Sequence, residues 1–286
     1  MSAAEQPLST LSADADTASY ANLRRLVRSG AGLGTIDPGA VRIEEMLNYF
    51  DYDYAAPAEG EDFALTARAG ACPWNAESEL VVLGLTVGQA ATEAPPTNLV
   101  LLVDVSGSMG DAEKLQVEFD PRMVESYRLI GYANRVMADD DFRNDAADAG
   151  ELCAGAELTV AYEVVLTDEG RRREGDEPWL TCAVRYQPAG ERAGEAPAEQ
   201  RFAVGRESWS AEPGDDWSLA AAVVEFGMLA RDSEFVGTAT ADDAAALAES
   251  SASSLDATDR AARRELTDLI RQAQRNAAFD GVVAAS

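Results

Sequence analysis

One stretch constrains the fold of this chain more than any other. It reads Asn98-Leu-Val-Leu-Leu-Val103-Asp104-Val-Ser106-Gly107-Ser108-Met109-Gly110. Residues 99–103 are apolar without alternation, the pattern of a strand buried on both faces. Such a strand needs cover on two sides, which an α/β arrangement supplies by alternating helices and strands. That alternation does not follow. After Asp111-Ala112-Glu113 the chain passes at once into Lys114-Leu-Gln-Val-Glu-Phe119, a half-buried alternating strand. The apolar run must therefore join a sheet edge or leave Leu99, Leu101 and Leu102 exposed.

The rest of the chain predicts antiparallel sheet between helical ends. Residues 17–28 place Tyr20, Leu23 and Val27 on one helical face, with Asp16 or Thr17 as cap and Gly30 as stop. Asp37-Pro38 predicts a second helix whose apolar face is Ile43, Met46, Leu47 and Phe50. Strands are expected at residues 63–67, 80–87, 115–119, 127–132 and 158–166, with 179–186 and 201–204 forming a hairpin. In the second of these, Val81, Leu83, Leu85 and Val87 share a face. Residues 217–229 are apolar on nearly every face, Glu225 being the main exception, so they predict a buried helix with Asp215 and Asp216 at its positive end. Residues 239–254 predict a short helix. Residues 256–277 predict a last one, carrying Leu266, Leu269, Ile270 and Ala273 on one face and an Asp259–Arg263 pair. The expected fold is α+β: an antiparallel β-sandwich of N- and C-terminal strands, flanked by helices at both ends. The expected segments are a helical 1–60, a β-sandwich over 61–210 that includes the residual strand 98–110, and a helical 211–286.

Charge narrows the function. Basic and acidic residues number 23 and 51, for a net charge of −28, and there is no histidine. Ser-His-Asp and Cys-His catalysis and His-ligated zinc are excluded. Nucleic acid and anionic membranes should repel so acidic a chain. Lys114 is the sole lysine, a composition that fits either Arg-for-Lys codon bias with a solvated acidic surface or a surface adapted to high salt, where screening relieves self-repulsion. Cys72, Cys153 and Cys182 are too scattered for a disulfide framework; one pair could bridge. The first residues carry neither a basic n-region nor an apolar h-region, and no apolar run reaches the ~20 residues that span a bilayer. As written, the chain is expected to stay in the cytoplasm, with the cell envelope as the alternative if a leader was removed.

Other polar clusters read as structure. Asp14-Ala-Asp16-Thr17 suits a helix cap. The acidic run from Asp139 to Asp148 has Arg143 where a calcium loop would place a ligand, and suits a solvated loop. Arg171-Arg172-Arg173 is flanked by acids, and no carboxylate pair stands out as catalytic.

The D-x-S-G-S-M run resembles the metal-binding loop of the von Willebrand factor type A family. Segments 14–25, 41–54 and Cys72-Pro-Trp74-Asn75 are similar to the N-terminal region of its YfbK-like branch. Segments 115–119, 127–132, 148–151 and 225–233 resemble that branch's C-terminal region. The resemblance implies that Ser106 and Ser108 ligate Mg²⁺ directly and that Asp104 acts through water or orients the site. It also implies a non-enzymatic binding or scaffold role with a protein partner. The chain departs from the family in one respect. A Rossmann-like module of ~100 or more residues should follow the loop, and with it the remaining ligand loops. Without them the Mg²⁺ shell is incomplete, because this ion demands near-octahedral oxygen. A shortened structural module with no ligand activity of its own is the alternative expectation.

Overall fold

The structure, a computed structural model, describes residues 1–88, 113–132, 135–144, 150, 152–172, 177–188, 195–253 and 257–284. In chain order its elements are β1 (Leu8–Ser12), α1 (Ala18–Arg28), α2 (Ile43–Leu47), β2 (Phe63–Ala71), β3 (Glu79–Val87), β4 (Lys114–Phe119), β5 (Val124–Ile130), β6 (Glu157–Leu166), α3 (Asp168–Arg172), β7 (Leu180–Tyr186), β8 (Ala198–Val204), α4 (Asp215–Ala230), α5 (Ala241–Ser250) and α6 (Ala257–Ala284). The strands form two antiparallel sheets, ordered β1-β4-β7-β8 and β2-β3-β6-β5. The fold is α+β.

Strand chemistry explains the layering. In β6, Leu158, Val160, Tyr162, Val164 and Leu166 alternate into an apolar cluster shared with Leu115, Val117, Cys182 and Val184 of the other sheet. Its neighbour β3 serves two cores. Val81, Leu83 and Leu85 enter that same cluster, whereas Leu80 and Val82 enter a second one built with the helices. Val87 is only half-buried, and the two-sided burial of β3 replaces the single-faced strand expected from alternation. The continuous apolar run of β3 is what burial on both faces requires.

The helical core forms around α4. Its side chains are buried almost all round, as its sequence predicts. The Trp217 indole N–H donates to the Leu80 carbonyl at 3.0 Å, which ties α4 to β3. Arg263 of α6 reaches Asp216 at 2.6 Å, and the Asp53 amide donates to the same carboxylate at 2.9 Å. Arg263 thus has a partner on α4; the expected partner, Asp259, has its side chain outside the described residues.

Three expectations change. Residues 8–12 form a strand inside a segment expected to be helical. Only Leu11 points an apolar side chain fully inward, too weak a period to read, while buried Thr10 is satisfied by Asp139 and Gln116 at 2.9 Å each. The second helix breaks in two. Asp37 caps a 3-10 turn at Pro38–Ala40, Val41 and Arg42 are extended, and α2 starts afresh. The Ser19 hydroxyl accepts the Arg42 amide at 2.8 Å and the Glu45 carboxylate accepts the Ser19 amide at 2.9 Å, which holds that break. All three cysteines are free. Residues 99–103 lie outside the described residues.

Candidate functional site

Asp104, Ser106 and Ser108 lie outside the described residues, so the site is approached from its two flanks. At the outgoing flank, the Gly88 amide donates to the Asp62 carbonyl at 2.7 Å, and the Gly88 carbonyl accepts the Gly155 amide at 3.3 Å. At the returning flank, the Glu113 amide donates to the Gly150 carbonyl at 2.9 Å, and its carboxylate accepts the Leu152 amide at 3.0 Å. One short loop therefore holds both ends. From Leu152 to Gly155 the backbone spans at most ~11 Å, which brings the Gly88 carbonyl within roughly 17 Å of the Glu113 carboxylate. Gly150 allows the closure. A Cβ there would lie 1.7 Å from the Ala13 carbonyl oxygen.

Acidic residues near the returning flank are already engaged. Arg135 pairs with Asp14, and with Asp16 at 2.7 Å. The helix-cap reading of Asp14 and Asp16 therefore gives way to an ion-pair role. Thr17 occupies the N-cap of α1 and makes no side-chain capping bond. Two consecutive left-handed residues, Gly131 and Tyr132, turn the chain ahead of Arg135. The turn fits tightly, since a Cβ on Gly131 would lie 2.5 Å from a Glu44 carboxylate oxygen. The Tyr132 hydroxyl donates to the Thr159 carbonyl at 3.0 Å, and Asn48 accepts the Thr159 amide at 2.8 Å. The acidic 139–144 turn is anchored as well as solvated. Lys114 Nζ donates to the carbonyls of Asp141 at 2.9 Å and Asn144 at 2.6 Å, and Phe142 is buried.

A second convergence centres on Glu163 in β6. Asn75 donates to its carboxylate at 2.6 Å, Ser78 at 3.1 Å, Arg128 Nε at 3.1 Å and the Trp74 indole at 3.3 Å. Burial pushes this carboxyl up, but the donors from Asn75, Arg128 and Trp74 prevail and hold it below the usual range. The Arg128 guanidinium lies 4.4 Å over the Phe235 ring. Residues from two family-like segments, 72–75 and 127–132, thus meet here, a link the sequence did not reveal because long-range pairing has no local period. The chemistry is that of a fastener: a carboxylate saturated with donors has no lone pair left for a metal or a proton transfer. Burial pushes the Cys72 and Cys182 thiols up to about 12, so neither is a ready nucleophile near neutral pH.

Among the described residues no group of His, Cys, Asp and Glu is placed to hold a metal ion. Three acids near the returning flank have partners of their own: Asp14 and Asp16 face Arg135, and Glu113 accepts from Leu152. Among the described residues no helix is long and apolar enough to cross a membrane.

Comparison with known proteins identifies two regions. The family model described as "Uncharacterized protein YfbK, C-terminal" matches residues 108–275, and one described as "von Willebrand factor" matches residues 1–82. The "Uncharacterized protein YfbK" of Escherichia coli (strain K12) is 39% identical over 135 residues, covering 44% of this chain and 22% of that protein. The match thus spans about a fifth of the relative's length. No solved structure matches the chain.

Proposed function

The chain belongs to the YfbK family of von Willebrand factor A proteins, and from that membership we propose that it is a non-enzymatic scaffold that binds a protein partner. The binding role rests on that membership, and the observation that supports a host able to fold beneath it is the pinned pair of flanks, Gly88 and Glu113. Chain ends held this close are the geometry at which a module can be inserted into, or lost from, a host that folds without it. The two family matches fit that geometry, because they stop and restart on either side of residues 83–107. On this reading the two sheets stack as a β-sandwich host. Residues 1–60 and 211–286 supply its helical cover, and β1 joins the host from the first segment.

Replacing residues 89–112 by a short Gly/Ser linker tests the reading. The shortened chain is expected to unfold in one cooperative transition within a few degrees of the natural chain. Loss of the transition would overturn the host arrangement.

The same reading assigns the loop no metal of its own. Asp104, Ser106 and Ser108 are three side chains on one loop, and Mg²⁺ sheds its waters reluctantly. A working site would raise stability by about 2.7 kcal/mol at a hundredfold excess over Kd. The expected outcome of a Mg²⁺ thermal-shift titration in molar KCl is instead a small change, matched by Ca²⁺ and unaltered by Asp104→Ala. A saturable, Mg²⁺-specific rise that disappears in Asp104→Ala and Ser106→Ala would restore metal-dependent adhesion.

A further inference from the structure

A sheet edge exposes unpaired backbone groups, and this chain covers two of its edges with its own backbone. At β5 the Ala3 amide donates to the Glu125 carbonyl at 3.0 Å, and the Tyr127 amide to the Met1 carbonyl at 2.9 Å. At β1 the Ser12 amide donates to the Arg135 carbonyl at 3.0 Å, and the Met137 amide to the Thr10 carbonyl at 2.9 Å. The β2 edge is treated differently. Among the described residues it is closed only at its ends. The Gln200 side chain accepts the Phe63 amide at 3.2 Å and donates to the Phe63 carbonyl at 2.9 Å. The Ala69 carbonyl accepts the Ser210 amide at 2.9 Å. Phe63 and Ala69 therefore turn their backbone groups outward. With a period of two, Leu65 and Ala67 between them do the same. At these two residues a groove of about 480 Å³ opens between β2 and β8, the facing edge strand of the other sheet. Leu65, Ala67, Phe202 and Val204 line it, with Arg201 and Glu207 at the rim.

We infer that this groove is a strand-addition site for an extended peptide whose residues alternate between apolar and basic. The main chain of the peptide would pair with Leu65 and Ala67, and its apolar side chains would enter between the sheets. Charge selects the basic residues. The chain carries −28, and the rim cation, Arg201, is bound to Glu199 at 2.7 Å. The inference rests on the protein-binding reading and deepens it, and it does not need the metal-like loop to work.

The probe is a short, blocked peptide of alternating valine and lysine, with a copy N-methylated on the amides that would face β2. Binding is read by fluorescence anisotropy, and hydrogen exchange of the Leu65 and Ala67 amides is followed alongside it. Ala67→Pro removes one outward N–H and leaves the β2–β3 ladder intact, as an edge strand tolerates. Saturable binding is expected, with protection at both amides and no effect of EDTA. Ala67→Pro and the N-methylated peptide should each bind about tenfold or more weakly, the loss of one or two hydrogen bonds. Equal binding by the N-methylated peptide, no protection at Leu65 and Ala67, or loss of binding in EDTA would each overturn the site. So would a dimer of the chain alone that Ala67→Pro dissolves, because the occupant would then be a second copy. The exchange measurement uses the natural chain, so it decides the matter even if the proline variant folds poorly.

Discussion

Glu225 is the residue whose surroundings suit it least. It is fully buried in α4, and neither carboxyl oxygen has a hydrogen-bond partner among the described residues. Burial, helped by the charge of Asp243, raises its pKa to about 8. The unfolded chain titrates near 4.3. Between about pH 4.3 and pH 8 the folded state keeps a proton that the unfolded state has released, so stability falls across that window and levels off above it. Glu225→Gln keeps the shape and removes the titration. Relative to that variant, the natural chain is expected to lose on the order of 5 kcal/mol across the window, read by urea denaturation in molar KCl. Superimposable pH profiles would show that the carboxyl is solvated. Lys114 is the opposite case. The sole lysine is buried at 2% exposure, yet its ammonium is matched to two backbone carbonyls.

Elements in this chain fit through small residues at crossings. Tyr54 lies across β3, stacked on Tyr52 at 5.0 Å and hydrogen-bonded through its hydroxyl to Thr159 at 2.9 Å. The space it fills is the missing side chain of Gly84, since a Cβ there would lie 2.3 Å from the ring. Gly84→Ala must displace a ring fixed at both ends. The expected cost is about 2–3 kcal/mol, seen as a fall in Tm of roughly 4–10 °C. An unchanged Tm would mean that the segment carrying Tyr52 and Tyr54 swings away at little cost. The same kind of crossing explains the α2 break. The sequence offers a helix from Asp37 onward, but Ser19 and Glu45 bond across it, and long-range bonds of that kind leave no local trace.

Over the whole molecule, self-repulsion outweighs any single contact in setting how stability responds to salt. A net charge of −28 acts over ~30 Å at 0.01 M salt and over ~3 Å at 1 M. Tm is therefore expected to rise as KCl increases from millimolar to molar, most steeply at the low end. A flat or falling Tm would mean that the acids are already neutralised by their ion pairs. Those pairs include Arg24 with Glu265 at 3.2 Å and Arg42 with Glu45 at 2.9 Å.

The sequence by itself determined the strands with a clean period of two, the apolar α4 and the amphipathic α1 and α6. In each, local periodicity and burial agree. It also carried the family through its segment-by-segment resemblance. Of the candidate site it supplied the chemistry of Asp104, Ser106 and Ser108, but none of what surrounds their segment. Only the tertiary structure decided that Gly88 and Glu113 leave and re-enter beside one loop. Only it showed that Asp14 and Asp16 answer Arg135, and that Glu163 gathers Trp74, Asn75, Ser78 and Arg128. It alone placed β1 in a sheet. These outcomes rest on groups far apart in the chain whose hydrogen bonds and charges are matched only after folding, and a pairing of that kind imposes no period on the residues between.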